Sequence, residues 1–226
     1  MDIQKLLAHD QLLLVLMRLR DGFSVKDLAF HFRLSEQSVS DLFSSWVGYM
    51  FCQLGQLSWW PHWDIVINHM PANFKKKFPY CLAIIDCTET KTETPYSLTV
   101  QSQCYSDYKT STILKSLVAV NPMGALMFVS ALFSGSISDI EICVQSGFCE
   151  YLSRKIAQGH LNAGDVIMAD KGFTIDKELK ELELKTPPFA SSAAQMSVSD
   201  VGYTNLIAVQ RIHVERRKGR IKKNSS

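Results

Sequence analysis

Two apolar runs, each ending in an aspartate, constrain the fold more than any other feature of the chain. Residues 80–86 read YCLAIID and residues 164–170 read GDVIMAD. Runs this short and this continuously apolar suit strands buried on both faces, as in sheets covered by helices. Between them, residues 113–120 form another strand candidate. Asn121-Pro122-Met123-Gly124 is a turn, and residues 125–132 (ALMFVSAL) form a third strand, so these two strands are predicted to make a hairpin. Ser138-Asp139-Ile140-Glu141 opens a helix running to about Gln158. After Asp170, Lys171-Gly172-Phe173 leads into a short helix over 175–184. Pro187-Pro188-Phe189 breaks it, and a long final helix runs from Ser199 to about Ile221. The order βββαβα, with one more short strand and then a last helix, predicts an α/β fold: a mixed sheet flanked by helices.

A different texture precedes the sheet. Residues 11–20 (QLLLVLMRLR) fit a buried helix stopped by Asp21-Gly22. Ser24 then reads as an N-cap with Asp27 three residues on. Leu28, Ala29 and Phe32 follow at helical spacing. Ser35 opens a third helix, with Val39, Leu42, Phe43 and Trp46 three and four apart. Three helices with a short turn between the last two fit a helix-turn-helix module, and equally a plain helical bundle. Residues 55–79 hold three prolines and three tryptophans. They read as an irregular connector too aromatic to be a flexible linker. The expected organisation is a helical module over 1–50, a Trp/Pro-rich connector over 51–79, and an α/β domain over 80–226.

Charge adds a second asymmetry. The 24 Lys/Arg and 22 Asp/Glu of the 226 residues give a net charge of only +2, which excludes a disordered polyelectrolyte. From Arg211 to Lys223, however, seven Lys/Arg face one acid, Glu215, for a local charge of +6. The remaining 17 basic and 21 acidic residues leave −4. The longest apolar runs, residues 12–17 and 81–85, fall far short of the ~20 residues of a membrane span. No signal peptide is expected, because no basic stretch precedes an apolar one with a cleavage site. None of the six cysteines forms a C-x-x-C pair. Buried, reduced thiols are therefore expected rather than a zinc site.

The chemistry centres on the acids. Asp86 and Asp170 each close an apolar strand, the end at which open α/β sheets build their sites. Taken singly, either acid could cap a turn. Taken together, two neighbouring carboxylates repel unless a cation lies between them, and a hard divalent ion with oxygen ligands answers that. Glu215 either relieves repulsion in a basic helix or is a third ligand beside a phosphate-binding surface. Spacing alone leaves both readings open, while the surrounding cations favour phosphate contact.

The pieces IIDCTET, QSQCYSDYKTSTILKSLVAV, FVSALFSGSISDIEI, GDVIMADKGF and RIHVERRKGRIK follow the N-terminal LLLVLMRLRDGFSVKDLAFHFRLSEQSVSDLFSSW and the connector WPHWDIVINHMPANFKKKFP. Together, in this order, they resemble a Harbinger-type DDE transposase with an N-terminal helix-turn-helix. The resemblance runs nearly end to end. It implies a ribonuclease H-like core, with Asp86, Asp170 and Glu215 as catalytic residues and metal ligands. It also implies two Mg²⁺ or Mn²⁺ ions for phosphoryl transfer, and a DNA partner such as transposon ends. By position, Lys109, Lys171, Arg211, Arg216, Arg220 and Lys222 are its candidate DNA contacts. A nuclear site and a homo-oligomer also follow from the resemblance, and no membrane partner does. Asp139 in GSISD matches a family motif and reads as a helix N-cap or a group supporting the ligands.

The chain departs from that pattern in several places, among them Arg217 and Lys218, which stand where relatives often have two apolar residues. Residues 35–46 contain no Lys or Arg, whereas relatives carry a basic residue near Asp41. Residues 190–196 read ASSAAQM where relatives are basic. Relatives also continue for dozens of residues past the position of Glu215, so the nuclease domain is expected to be truncated at its C-terminus. The alternative expectation is a catalytically inactive, domesticated or decayed DNA- or protein-binding remnant.

Overall fold

The structure is a computed structural model. It describes residues 6–57, 59–106, 110–170, 172–173 and 181–187, and further on 202, 204–205, 207–209, 215–216 and 219. The chain divides into two compact units, Met1–Ser58 with Arg220–Ser226, and Trp59–Gly219.

The first unit is three helices: α1 (Ala8–Asp21), α2 (Val25–Phe32) and α3 (Glu36–Leu54). Their boundaries follow the sequence signals. Gly22 ends α1 at φ 70°, a left-handed conformation that glycine adopts without strain. Ser24 caps α2 by accepting from the Asp27 N–H, and Ser35 caps α3 by accepting from Ser38. Leu14, Val15, Leu28, Leu34, Val39 and Leu42 form the core, with Phe43 and Trp46 packed against it. Trp46 Nε1 donates to Gln11 Oε1 at 3.0 Å, tying α3 to α1. The tight link of Arg33, Leu34 and Ser35 between α2 and α3 is the turn of a helix-turn-helix.

The second unit opens with α4 (Trp63–Asn68) and α5 (Ala72–Lys77). Residues 55–79 are thus partly helical rather than irregular, because Pro71 stands at the N-cap of α5, where its missing N–H costs nothing. There follow β1 (Cys81–Lys91), α6 (Leu98–Cys104), β2 (Tyr105–Ser106), β3 (Ser111–Val120), β4 (Leu126–Val129), β5 (Phe133–Ser134), α7 (Asp139–Gln145), α8 (Phe148–Ala157), β6 (Val166–Met168) and β7 (Glu183–Lys185). The sheet order is β2-β3-β1-β6-β7, with β4 and β5 also paired to β3. β1 and β3 are antiparallel, while β1–β6 and β6–β7 are parallel. This is the expected α/β class, a ribonuclease H-like mixed sheet with helices around it and a helical module before it. No helix among the described residues is long and apolar enough to cross a membrane.

β1 lies at the centre, and its first eight residues are all buried. It runs five residues past Asp86, so that acid sits in mid-strand and not at a strand end as expected. The parallel partner β6 pairs only as far as Ile84, whereas antiparallel pairing to β3 continues to Lys91. The hairpin of β3 and β4 forms around Asn121, whose Oδ1 accepts from the N–H groups of Met123 and Ala125. The helix expected over 138–158 is two helices, because Gly147 turns left-handed at φ 72° between α7 and α8. Glu183 and Leu184 pair in β7 with β6, so the strand claims the end of the helix expected over 175–184. Residues 174–180 lie outside the described residues. Phe128, Phe148, Tyr151 and Trp60 form an aromatic cluster that holds α8 against β4, with ring centroids 4.9–6.4 Å apart.

Candidate active site

Strand register places the two aspartates. Ile84 of β1 lies opposite Met168 of the parallel β6. Two residues further along their chains stand Asp86, still within β1, and Asp170, just past the end of β6. Asp86 is held rigidly: it is 6 % exposed, and its backbone is paired to Val118 of β3. Asp170 is half-buried and starts the turn out of the strand, with its carbonyl accepting from the Phe173 N–H at 3.0 Å. Ala169 still pairs outward, donating to Lys185 at 3.0 Å, which fixes the approach to Asp170. Thr88, two residues after Asp86, shares its face of β1. It is buried, and its Oγ1 has no hydrogen-bond partner among the described residues.

The opposite face of β1 carries a different constellation. Cys87 faces the start of α7. Burial, followed by the charges of Asp139 and Asp86, pushes its thiol well above the usual range, and Asp139 also accepts from it. Lys115 of β3 donates to Asp139 Oδ1 at 3.2 Å and to the Ile137 carbonyl at 3.0 Å. Asp139 therefore does not cap α7. Ser138 does, in a reciprocal capping box with Glu141, and Asp139 at the next position clamps the helix start to the sheet.

Glu215 is exposed on helical backbone, next to exposed Arg216. Among the described residues no group of three or more His, Cys, Asp and Glu side chains is placed to hold a metal ion, so the structure does not draw Glu215 together with the two aspartates. Lys109, Lys171, Arg211, Arg220 and Lys222 lie outside the described residues. The donor set does suit a hard cation: two carboxylates, each two residues past the last paired position of neighbouring parallel strands, with an orphaned buried hydroxyl two residues beyond Asp86.

One cationic surface escaped the sequence reading. Phe74 and Phe78 point inward from α5, and Lys75, Lys76 and Lys77 fan over its remaining outward sides, all exposed. Its signal was present in the composition, because no Asp or Glu occurs between Asp64 and Asp86. In contrast, α3 carries Glu36 and Asp41 and no Lys or Arg. Gln37 Nε2 donates to Asp41 at 2.9 Å.

Two family models match the chain in this order of units. None of the curated proteins matches the chain. Among solved structures, a crystal structure of a pre-cleavage Mos1 transpososome matches at 15 % identity, covering 92 % of this chain and 75 % of that one, with a TM-score of 0.31. Residues 4–56, which hold α1 to α3, match the helix-turn-helix of DDE superfamily endonuclease. Residues 85–224 match the DDE superfamily endonuclease, a span that contains Asp86, Asp170 and Glu215 and makes up more than half of the chain. The chain belongs to the DDE superfamily endonucleases.

Proposed function

We propose that the protein is a transposase-derived DNA endonuclease of the Harbinger type, cutting phosphodiester bonds with two divalent cations. The observation that carries this reading is the parallel register of β1 with β6, in which Ile84 lies opposite Met168 and the two aspartates follow two residues later. Asp86 and Asp170 would hold Mg²⁺ or Mn²⁺, with Glu215 as the third carboxylate by its place in the motif. Such ions, when bound, supply charge neutralisation at the scissile phosphate and activation of the attacking oxygen. The chain's own contribution is positional. Antiparallel pairing to β3 fixes the backbone of Asp86, and the Ala169 bond to Lys185 and the Asp170 turn fix that of Asp170, so little rearrangement is needed on binding. Phosphate contact falls to the cations: Lys109, Lys171, Arg211, Arg216, Arg220 and Lys222, to which the α5 lysines are added. In this reading residues 1–50 read DNA, 51–79 connect, and 80–226 cut, in the nucleus and as a homo-oligomer.

The test is Mn²⁺-dependent nicking of a duplex carrying terminal repeats. The wild type is expected to nick it, and the Asp86→Ala variant to lose at least 100-fold in rate, on the order seen when charge-stabilising groups are removed. Equal behaviour of the two proteins would overturn the enzymatic reading.

A second reading, an inactive binding module, is favoured by α3. That helix has no cation to meet a phosphate backbone. With α1 it lines a groove of about 470 Å³ using Leu42, Trp46 and Tyr49. DNA affinity that does not change with salt, together with an absence of nicking, would favour this reading over the first.

A further inference from the structure

The carboxylate face holds one buried oxygen whose purpose the fold does not explain. Thr88 is 2 % exposed, and its Oγ1 has lost water without gaining a hydrogen-bond partner among the described residues. An unsatisfied buried hydroxyl destabilises a fold, and native structures rarely keep one without a reason. Valine has nearly the same shape and is at least as comfortable in a strand, so packing alone would favour it here. Thr88 lies past the last residue of β1 that pairs with β6, two positions beyond Asp86. Its hydroxyl therefore flanks the stretch where the two aspartates stand and the parallel strand has ended.

We propose that Thr88 Oγ1 is a third oxygen of the Asp86–Asp170 site, binding a water molecule of a hydrated divalent cation. This rests on the metal-dependent reading above. Residues two apart on a strand stand roughly 6.6 Å from each other. An ion about 2.1 Å from the outer side of the Asp86 carboxylate stands beyond direct reach of Thr88. A coordinated water spans the gap, adding about 2.1 Å to the ion and about 2.8 Å to the hydroxyl. Mg²⁺ keeps several of its waters when it binds protein, so such a water is available. A hydroxyl accepts as well as donates, which lets it take a proton from that water and orient it. Thr88 is then a positioning residue, acting through the water and not on the phosphate.

The proposal makes stability and metal affinity move independently, which a purely structural hydroxyl would not do. The experiment follows thermal unfolding of the full chain in a chelator and across a Mn²⁺ titration, for wild type, Thr88→Val, Thr88→Ser and Asp86→Asn. In the chelator, Thr88→Val is expected to unfold at or above the wild-type temperature. Its apparent Mn²⁺ affinity should fall about 10- to 100-fold, the range for losing a group that orients a metal's ligands. Thr88→Ser keeps the hydroxyl and should stay within a few-fold of wild type. If Thr88→Val loses stability in the chelator, the hydroxyl has a structural partner and the proposal is overturned. The same follows if its Mn²⁺ response matches wild type while Asp86→Asn has lost the response, and the metal reading then survives alone. If wild type and Asp86→Asn respond alike, the metal reading fails and Thr88 fails with it.

Discussion

Cys81 lies fully buried at the head of β1, and burial pushes its thiol up to about 12 from an ordinary 9.0. Cys87 is raised as well, while Cys52 on α3 is exposed. A thiol reagent at pH 8 should therefore modify Cys52 first and leave Cys81 and Cys87 untouched until the protein unfolds, as mass mapping of labelled peptides would check. The sign of the pH effect follows from the raised value. A folded-state thiol that resists ionisation contributes stability that is intact below about 9 and lost as pH climbs toward 12. A second residue-scale effect is steric. A Cβ on Gly135 would lie 2.6 Å from Ile113 Cγ1, 2.7 Å from the Cys104 carbonyl and 2.8 Å from the Ile113 carbonyl. Two of these atoms are backbone and cannot swing away. Gly135→Ala should cost about 1–3 kcal/mol, read as a lower urea midpoint with unchanged slope.

The helix α5 shows how an element can be legible in one respect and hidden in another. Its three lysines were plain in the sequence, but the prolines around it suggested irregular chain, since a six-residue helix is too short to display a period. The same shortness hid β2 and β5, which are two residues each and exist only because β3 offers them an edge. The overrun of β1 through Cys87–Lys91 was obscured because those residues are polar. Antiparallel pairing to β3 holds them in the strand whatever their polarity. By contrast, the Ser24, Ser35 and Ser138 caps were readable because a cap is a local bond between residues three apart. The buried strands that lead to Asp86 and Asp170 were readable because each run was continuously apolar. The place of Glu215 was not, because helix spacing fixes a face but not what that face meets. For α5 itself, Lys75, Lys76 and Lys77 are consecutive, with no acid between Asp64 and Asp86 in the chain. Changing all three to Gln should weaken DNA binding and lower the slope of log affinity against log salt by up to about 3, since each phosphate contact contributes roughly 0.9. The triple Arg variant should restore the slope. A filter-binding titration without divalent metal checks this, and an unchanged Gln-variant slope would remove α5 from the DNA surface.

At the scale of the whole molecule, the two units have separate cores and opposite tasks in the proposed reaction. The helical unit is built around Leu14, Leu28 and Leu42, and the sheet unit around β1 and β3. Chains organised this way need not unfold in one step. A metal ion stabilises only the folded unit that binds it, by about 2.7 kcal/mol when its concentration is one hundred times the dissociation constant. Asp86, Thr88, Asp170 and Glu215 all fall within the Trp59–Gly219 unit. Calorimetry should therefore resolve two transitions. Mn²⁺ should raise the one belonging to the sheet unit by roughly 5–11 °C, using about 2–4 °C per kcal/mol for a unit of this size. The helical unit's transition should stay where it is. Tryptophan fluorescence can assign them, since Trp46 reports on the helical unit and Trp60 on the sheet unit. A metal effect on the helical transition would place the cation outside the two-aspartate face, and an effect on neither would overturn the metal reading.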